Sequence, residues 1–396
     1  MVEQVCLCRA PTHPAEDSQP KTDGRRQTME HREVEVAIIG TGTAGMAAYR
    51  KARAHTGSLA LIEGGAYGTT CARVGCMPSK LLIAAANRAQ DLREAPEFGI
   101  HAAGGLQIAG PEVMDRVRRL RDDFVSSVLE TLESDFDPVH KIRGHAQFLD
   151  DHRIQIGDHT EIRAERIVIA TGSRPRMPKM LSGIGDRVIT NEDLFDLEDL
   201  PGSVAVFGAG VIGLELGQAL HRLGVRIRLF GKGGTLGPIS DPDILEEAAY
   251  SLTEEFYIDP DAEIREIVQE DDHIRITFLD AEGREITENY DYFLAATGRQ
   301  PNTDRLNLAD TSVLCEEDGQ PLFDPLTMQT SAGHIFLAGD VNSSLPVLHE
   351  AAYEGKIAGE NAGLYPEIRA HRRRTELSIV FCEPQVAQAG TNYQSL

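Results

Sequence analysis

The sequence predicts an α/β protein built on two Rossmann-like dinucleotide-binding units. Three observations predict it: a buried strand running into a glycine-rich turn and a small-residue helix, the same pattern again about 170 residues later, and an acid closing the second strand of the first unit only. In the first unit, Val-Glu-Val-Ala-Ile-Ile over residues 34–39 reads as the strand, and Gly40-Thr-Gly42-Thr-Ala-Gly45 follows it. Gly40 permits the tight turn, Gly42 lets the backbone approach a pyrophosphate, and Gly45 lets the helix pack closely on the strand. Leu-Ala-Leu-Ile over 59–62 is the next strand, and Glu63 at its end can accept hydrogen bonds from ribose hydroxyls. In the second unit, a strand over 204–207 leads to Gly208-Ala-Gly210-Val-Ile-Gly213, an apolar helix and a strand over 225–230.

Aligning the two units on their third glycines separates their ligands. Glu63 lies 18 residues after Gly45, and the residue at the same spacing from Gly213 is Gly231, so the second site lacks the ribose carboxylate. Lys232 follows, a cation suited to a 2′-phosphate. FAD is therefore expected in the first site and a nicotinamide nucleotide, NAD or NADP, in the second.

Composition narrows the function classes. The chain has 396 residues, and 62 Asp plus Glu against 39 Lys plus Arg give a net charge of −23, which repels nucleic acid and anionic membrane surfaces. No apolar stretch is long enough to cross a bilayer, and the cytoplasm is the expected location. Six cysteines are too few for a disulfide scaffold, so a closely spaced pair is read as chemistry. Cys6 and Cys8 lie in a polar leader, residues 1–32, expected to be disordered, with Met29 a candidate start.

The most informative segment is Gly68-Thr-Thr-Cys71-Ala-Arg-Val-Gly-Cys76-Met-Pro-Ser-Lys80, followed by the helical pattern Leu81, Leu82, Ala85, Ala86, Ala89. Four residues between the cysteines do not suit a zinc knuckle, and no metal site is expected. Cys76 falls where the helix begins, where aligned N–H groups favour a thiolate, so it is expected to face the flavin. Cys71, on the preceding loop, is expected to be the more accessible sulfur and to exchange with an outside thiol.

This segment resembles the active site of the pyridine nucleotide–disulfide oxidoreductases, particularly dihydrolipoyl dehydrogenase. The likeness spans residues 34–361 and includes Ala170-Thr171-Gly172-Ser-Arg-Pro175, Ala296-Thr-Gly298-Arg-Gln-Pro-Asn302 and Ile335-Phe-Leu-Ala-Gly339-Asp340. It implies that Asp340 binds the flavin ribityl chain and that the peptide around Leu348 and His349 lies along the ring. It also implies that Lys80 sits beside the flavin with Glu215 as its partner. Implied too are a redox-active Cys71–Cys76 disulfide and a small dithiol or disulfide substrate. Met-Pro-Ser-Lys after the second cysteine is nearer to dihydrolipoyl dehydrogenase and mercuric reductase than to glutathione reductase, which leans the substrate towards dihydrolipoamide, possibly on a carrier domain. A mercuric or glutathione reductase-like enzyme and a catalytically impaired FAD-binding remnant are the alternatives.

The resemblance sets the expected organisation: residues 33–187 and 300–365 as an FAD-binding domain in two segments, 188–299 as an NAD(P)-binding domain, and 366–396 as only the start of an α+β interface domain. The chain is thus expected to be a C-terminally truncated member without the family's His-Glu base, impaired in lipoamide turnover but able to transfer hydride. The family forms homodimers, and the missing sheet puts that assembly in question. Ile379, Val380 and Phe381 are expected to be left without packing partners.

Overall fold

A computed structural model of the chain describes residues 29–395 except positions 102, 182, 281, 317 and 318. The leader up to residue 28, with Cys6 and Cys8, lies outside the described residues. Two largely parallel sheets organise the rest, the first extended past Thr160–Ile169 by the antiparallel strands Arg153–Ile156 and Ala146–Phe148. In the first, the strands run in the order Lys141–Arg143, Leu59–Glu63, Glu30–Ile39, Thr160–Ile169, and Ile335–Leu337 adds alongside the last. The order reverses between Glu30–Ile39 and Thr160–Ile169, which pair in parallel register with Ile39 opposite Ile169. That reversal opens a crevice at the carboxyl ends of the two strands. Both faces are covered, so these strands are near-continuous runs of Val, Ile and Ala, with Val36, Ala37 and Ile38 fully buried.

The chain then builds a second sheet in the order Tyr257–Asp259, Arg226–Phe230, Ser203–Phe207, Tyr292–Ala295, Val188–Ile189. Its reversal falls between Ser203–Phe207 and Tyr292–Ala295, again in parallel register. A three-stranded antiparallel sheet, Ile264–Glu270, His273–Leu279 and Glu285–Tyr290, closes the side of this unit. Ile335–Leu337 returns to the first sheet, followed by the helix Leu348–Leu364. That helix lies against the first fingerprint helix, Thr43–Ala52, with little between the backbones. A Cβ on Gly355 would stand 2.2 Å from the Ala44 carbonyl oxygen, and one on Gly359 would stand 2.2 Å from that of Ala48.

The cysteine helix, Cys76–Glu94, joins the two units. Its apolar stripe, including Leu82, Ala86 and Ala89, packs in one core with Leu216, Ala219 and Leu220 of the second fingerprint helix, Val211–Arg222. The periodicity of the sequence therefore turns this helix's buried face toward the other unit rather than toward its own sheet.

The expectation for the C-terminal residues is corrected. Leu377–Val380 pairs with Val386–Ala389 as an antiparallel hairpin. Val380 is fully buried, and with Cys382 it joins the core around the second fingerprint helix. Strand alternation explains the split: Val380 turns inward, while Ile379 and Phe381 remain partly exposed.

Candidate active site

The backbone of both crevices explains the glycines. Gly40 has φ +109°, and a Cβ there would lie 2.3 Å from the Ala170 carbonyl oxygen across the strand reversal. A Cβ on Gly45 would lie 1.9 Å from the Gly40 carbonyl oxygen, so the helix can start this close to the turn only without a side chain. A Cβ on Gly42 would meet nothing within 4 Å, which leaves the helix start open to the crevice. The second fingerprint repeats the geometry: 2.2 Å from Gly208 to the Ala296 oxygen, 1.8 Å from Gly213 to the Gly208 oxygen, and open space at Gly210.

A cavity of about 450 Å³ occupies the first crevice. Gly42, Cys71, Cys76, Lys80, Gly172, Glu215, Gly339, Asp340 and His349 all line it. Gly40, Gly45 and Glu63 stand behind this lining and shape the turn. The Glu63 carboxylate accepts from the Thr41 N–H (2.9 Å), the Thr41 hydroxyl (2.7 Å) and the Gly65 N–H (2.7 Å). A second cavity of about 560 Å³ is lined by Gly210, Val211, Ile212 and Gly298, and shares Ser173, Arg299, Asp340 and Val347 with the first, so the two spaces adjoin. Gly208 and Gly213 build its turn, while Lys232 is exposed and lines neither cavity.

The cysteines differ from the expectation in placement. Cys71 lies in a helical turn, Thr70–Arg73, capped by the Thr69 hydroxyl, which accepts the Ala72 N–H, and Asn191 donates to the Val74 carbonyl to hold the connection. Both cysteines are half-buried, so exposure does not separate them. Electrostatics does. The Cys71 thiol donates to Cys76, which pushes Cys71 far above the usual thiol range. The same bond, helped against burial by the Lys80 charge and a backbone N–H, lowers Cys76 to about 7. Cys76 is the first residue of its helix and the more acidic thiol of the pair.

Lys80 Nζ donates to Glu215 Oε2 at 2.7 Å, across the packed interface of the two units. Glu215 is buried, and its other oxygen accepts the Phe381 N–H at 3.0 Å. The Phe381 ring lies 4.5 Å from Lys80 Nζ, so the C-terminal hairpin supplies both a ring and an amide to this ion pair. Asp340 is half-buried with Ser173 Oγ donating at 3.3 Å, and desolvation pushes its carboxyl above the usual range against the pull of Arg299. Arg299 also donates to the Ser173 hydroxyl (2.8 Å) and carbonyl (2.7 Å). Sequence reasoning missed Phe381, Ser173, Arg299 and Asn191. Ser173 and Arg299 lay inside quoted motifs, whereas no local signal links Phe381 or Asn191 to the cysteines.

The residues fit a flavin dinucleotide. Thr171 Oγ1 is buried without a hydrogen-bond partner, Cβ atoms on Gly42 and Gly172 would enter empty space, and a helix start, a lysine and a buried carboxylate surround the same cavity. A polarised thiol pair on this cavity, beside a second crevice of the same build, defines an oxidoreductase of the flavin disulfide class.

Comparison with known proteins gives the family. Residues 34–355 match the family described as pyridine nucleotide-disulphide oxidoreductase. The mercuric reductase of Staphylococcus aureus is 30% identical over 388 residues, covering 96% of this chain and 68% of the relative. That of Lysinibacillus sphaericus is 32% identical over 90% of this chain and 64% of its own length. The dihydrolipoyl dehydrogenase of Chlamydia pneumoniae is 29% identical, with 92% and 77% covered. Among solved structures, the HOCl-induced flavoprotein disulfide reductase RclA from Escherichia coli superposes with a TM-score of 0.74 at 25% identity, over 91% of this chain and 78% of that one. The chain spans about two thirds of the length of the mercuric reductases it matches. It belongs to the pyridine nucleotide-disulphide oxidoreductase family.

Proposed function

We propose that the protein moves electron pairs between a small dithiol or disulfide substrate and a nicotinamide nucleotide, through the Cys71–Cys76 pair and FAD. The observation that carries this reading is the placement of a polarised thiol pair and the Lys80–Glu215 ion pair on one cavity at the first fingerprint. Gly40, Gly42, Gly45, Glu63, Thr171, Gly172, Gly339, Asp340 and His349 would hold the flavin. Gly208, Gly210, Gly213 and Gly298 would hold NAD or NADP, and Lys232, outside the cavity, would meet only a 2′-phosphate that extends beyond it. When bound, the flavin supplies the two-electron relay between sulfur and nicotinamide.

The chain's own residues do the sulfur chemistry. In the oxidised pair, a substrate thiolate attacks Cys71, the Cys71–Cys76 bond breaks, and Cys76 leaves as the thiolate that its surroundings favour. The second substrate thiol then displaces Cys71, giving the substrate disulfide and two reduced cysteines, with two electrons and two protons taken from the dithiol. Lys80 holds positive charge beside Cys76, and Glu215 fixes that ammonium in place. Dihydrolipoamide is the proposed substrate class. Mercuric ion is the second reading, favoured by the relatives of similar identity that bear that name. The cytoplasm is the proposed location; among the described residues, no helix is long and apolar enough to cross a membrane.

Purified protein should reduce lipoamide with NADH or NADPH and lose that activity in Cys71→Ser. Nucleotide oxidation that depends on Hg(II) with no lipoamide turnover selects the second reading, and activity with neither substrate contradicts both.

A further inference from the structure

The basic run at residues 372–374 leads from the helix Leu348–Leu364 to the hairpin, and the structure ties it down side chain by side chain. The Arg374 guanidinium lies 4.4 Å from the centre of the Tyr353 ring, and the Tyr353 hydroxyl donates to the Arg372 carbonyl at 2.9 Å. Arg373 does something different. Its Nη2 donates at once to Glu350 Oε2 (2.9 Å) and Glu354 Oε1 (2.8 Å), and its Nη1 is buried without a hydrogen-bond partner. Both glutamates are only 2% exposed, and they stand one turn apart on the same face of the helix.

Glu354 stands behind the cavity and holds part of its lining. Its other oxygen accepts the Gly339 N–H at 2.9 Å and the Asn342 side-chain amide at 2.7 Å. Gly339 has φ +82°, and a Cβ on it would lie 2.8 Å from the Ala44 Cβ of the first fingerprint helix. The turn is thus pressed between two helices, and one carboxylate fixes its amide. Asp340 follows directly, and both residues line the cavity with Leu348 and His349 from the start of the helix. Both carboxylates meet the same guanidinium nitrogen in a buried setting, and Arg373 is the only cation paired with either among the described residues.

We propose that Arg373 is a positioning residue of the flavin site: it supplies the single positive charge that Glu350 and Glu354 share behind the Gly339–Asp340 turn and so holds the Gly339 amide and the Asp340 carboxylate in place for the cofactor. The inference rests on the FAD reading above. Without the guanidinium, Glu354 must take up a proton or move away from Glu350, and either change weakens its hold on Gly339.

The test is the rate of FAD release from the holoprotein, followed by the rise in flavin fluorescence on dilution. Arg373→Met should release FAD about tenfold faster or more, the equivalent of ~1.4 kcal/mol. Arg373→Lys keeps the charge, and Arg373→Met with Glu350→Gln removes the repulsion. Both should return release to within about threefold of wild type. A purely packing role would not be rescued by removing the charge at Glu350. Should Arg373→Met fail to fold, those two variants decide, and release faster by about tenfold or more from either overturns the proposal. Wild-type protein that takes up no FAD sinks the function proposed above along with this inference. Wild-type protein that holds FAD no better than Arg373→Met sinks this inference alone.

Discussion

The two dinucleotide crevices share one backbone design and a common wall, and differ in the reactive groups brought to them. In each, the first glycine takes a positive φ against the carbonyl of the facing strand, the third meets the carbonyl of the first, and the middle one faces open space. The first crevice then gathers the cysteine helix, Lys80, the Gly339–Asp340 turn and His349, whereas the second gathers mostly apolar or small residues around Gly210 and Gly298. Their ribose positions diverge as well. Glu63 is held by three hydrogen bonds, while a Cβ on Gly231 would lie 2.5 Å from the Pro260 carbonyl oxygen and 2.7 Å from its Cα. The fingerprint fixes where a pyrophosphate can lie, and side chains from distant parts of the chain decide what chemistry happens beside it.

The largest expected effect separates the crevices by chemistry. Cys76→Ser should cut disulfide turnover on the order of 10³-fold or more, because the sulfur that leaves as thiolate is gone, while FAD stays bound. Steady-state assays beside a flavin absorbance spectrum check both halves. Next come the paired substitutions Gly45→Ala and Gly213→Ala, each of which drives a methyl into backbone. Gly45→Ala should give protein that no longer retains FAD. Gly213→Ala should stay yellow and be reducible by dithionite but no longer by NAD(P)H; equal loss of flavin from both would break the assignment of two different ligands.

A smaller effect concerns pH. The Cys76 thiol is lowered from 9.0 to about 7, so the stabilisation its thiolate contributes is fully present above about 9 and disappears as pH falls through about 7. The long-wavelength absorbance of thiolate against flavin in the two-electron-reduced protein should titrate with it. Lys80→Met should move that midpoint upward, because Lys80 is one of the groups that lower it. The smallest effect is at Lys232. Lys232→Ala should raise KM for NADPH by about fivefold or less and leave that for NADH alone, since an exposed charge contributes about 0–1 kcal/mol. Gly231→Glu is expected to destabilise the strand end rather than confer a preference for NADH, because the Pro260 backbone fills the space its side chain would need.

These contrasts also mark what was legible in the sequence. Both fingerprints, the cysteine helix and the Lys80–Glu215 partnership were readable because each rests on short-range spacing or on a motif that keeps its order along the chain. The strand over 34–39 and the helix stripe of Leu82, Ala86 and Ala89 follow from periodicity in the same way, whereas the strand's actual start at Glu30 corrects the expected leader boundary at residue 32: residues 30–32 pair with the strand Thr160–Ile169. What was not legible depends on residues far apart in sequence. Phe381 meets Lys80 only because the hairpin docks on the second fingerprint helix, through Val380 and through Gln218, which exchanges hydrogen bonds with the Glu383 backbone. Arg373 meets Glu350 and Glu354 only because the preceding strap runs back along their helix, with Asn361 bonded to both backbone groups of Arg369. The unsuitability of Gly231 is likewise set by a proline 29 positions on, which no pattern around the glycine announces.

The most direct measurement is an anaerobic reductive titration of the purified protein watched across the visible spectrum. A Cys71–Cys76 pair set against bound FAD predicts that the first two electrons raise a long-wavelength band while the flavin stays oxidised, and that the band is missing from Cys76→Ser. Protein that takes up no flavin, or whose flavin bleaches from the first electron pair without that band, contradicts the account.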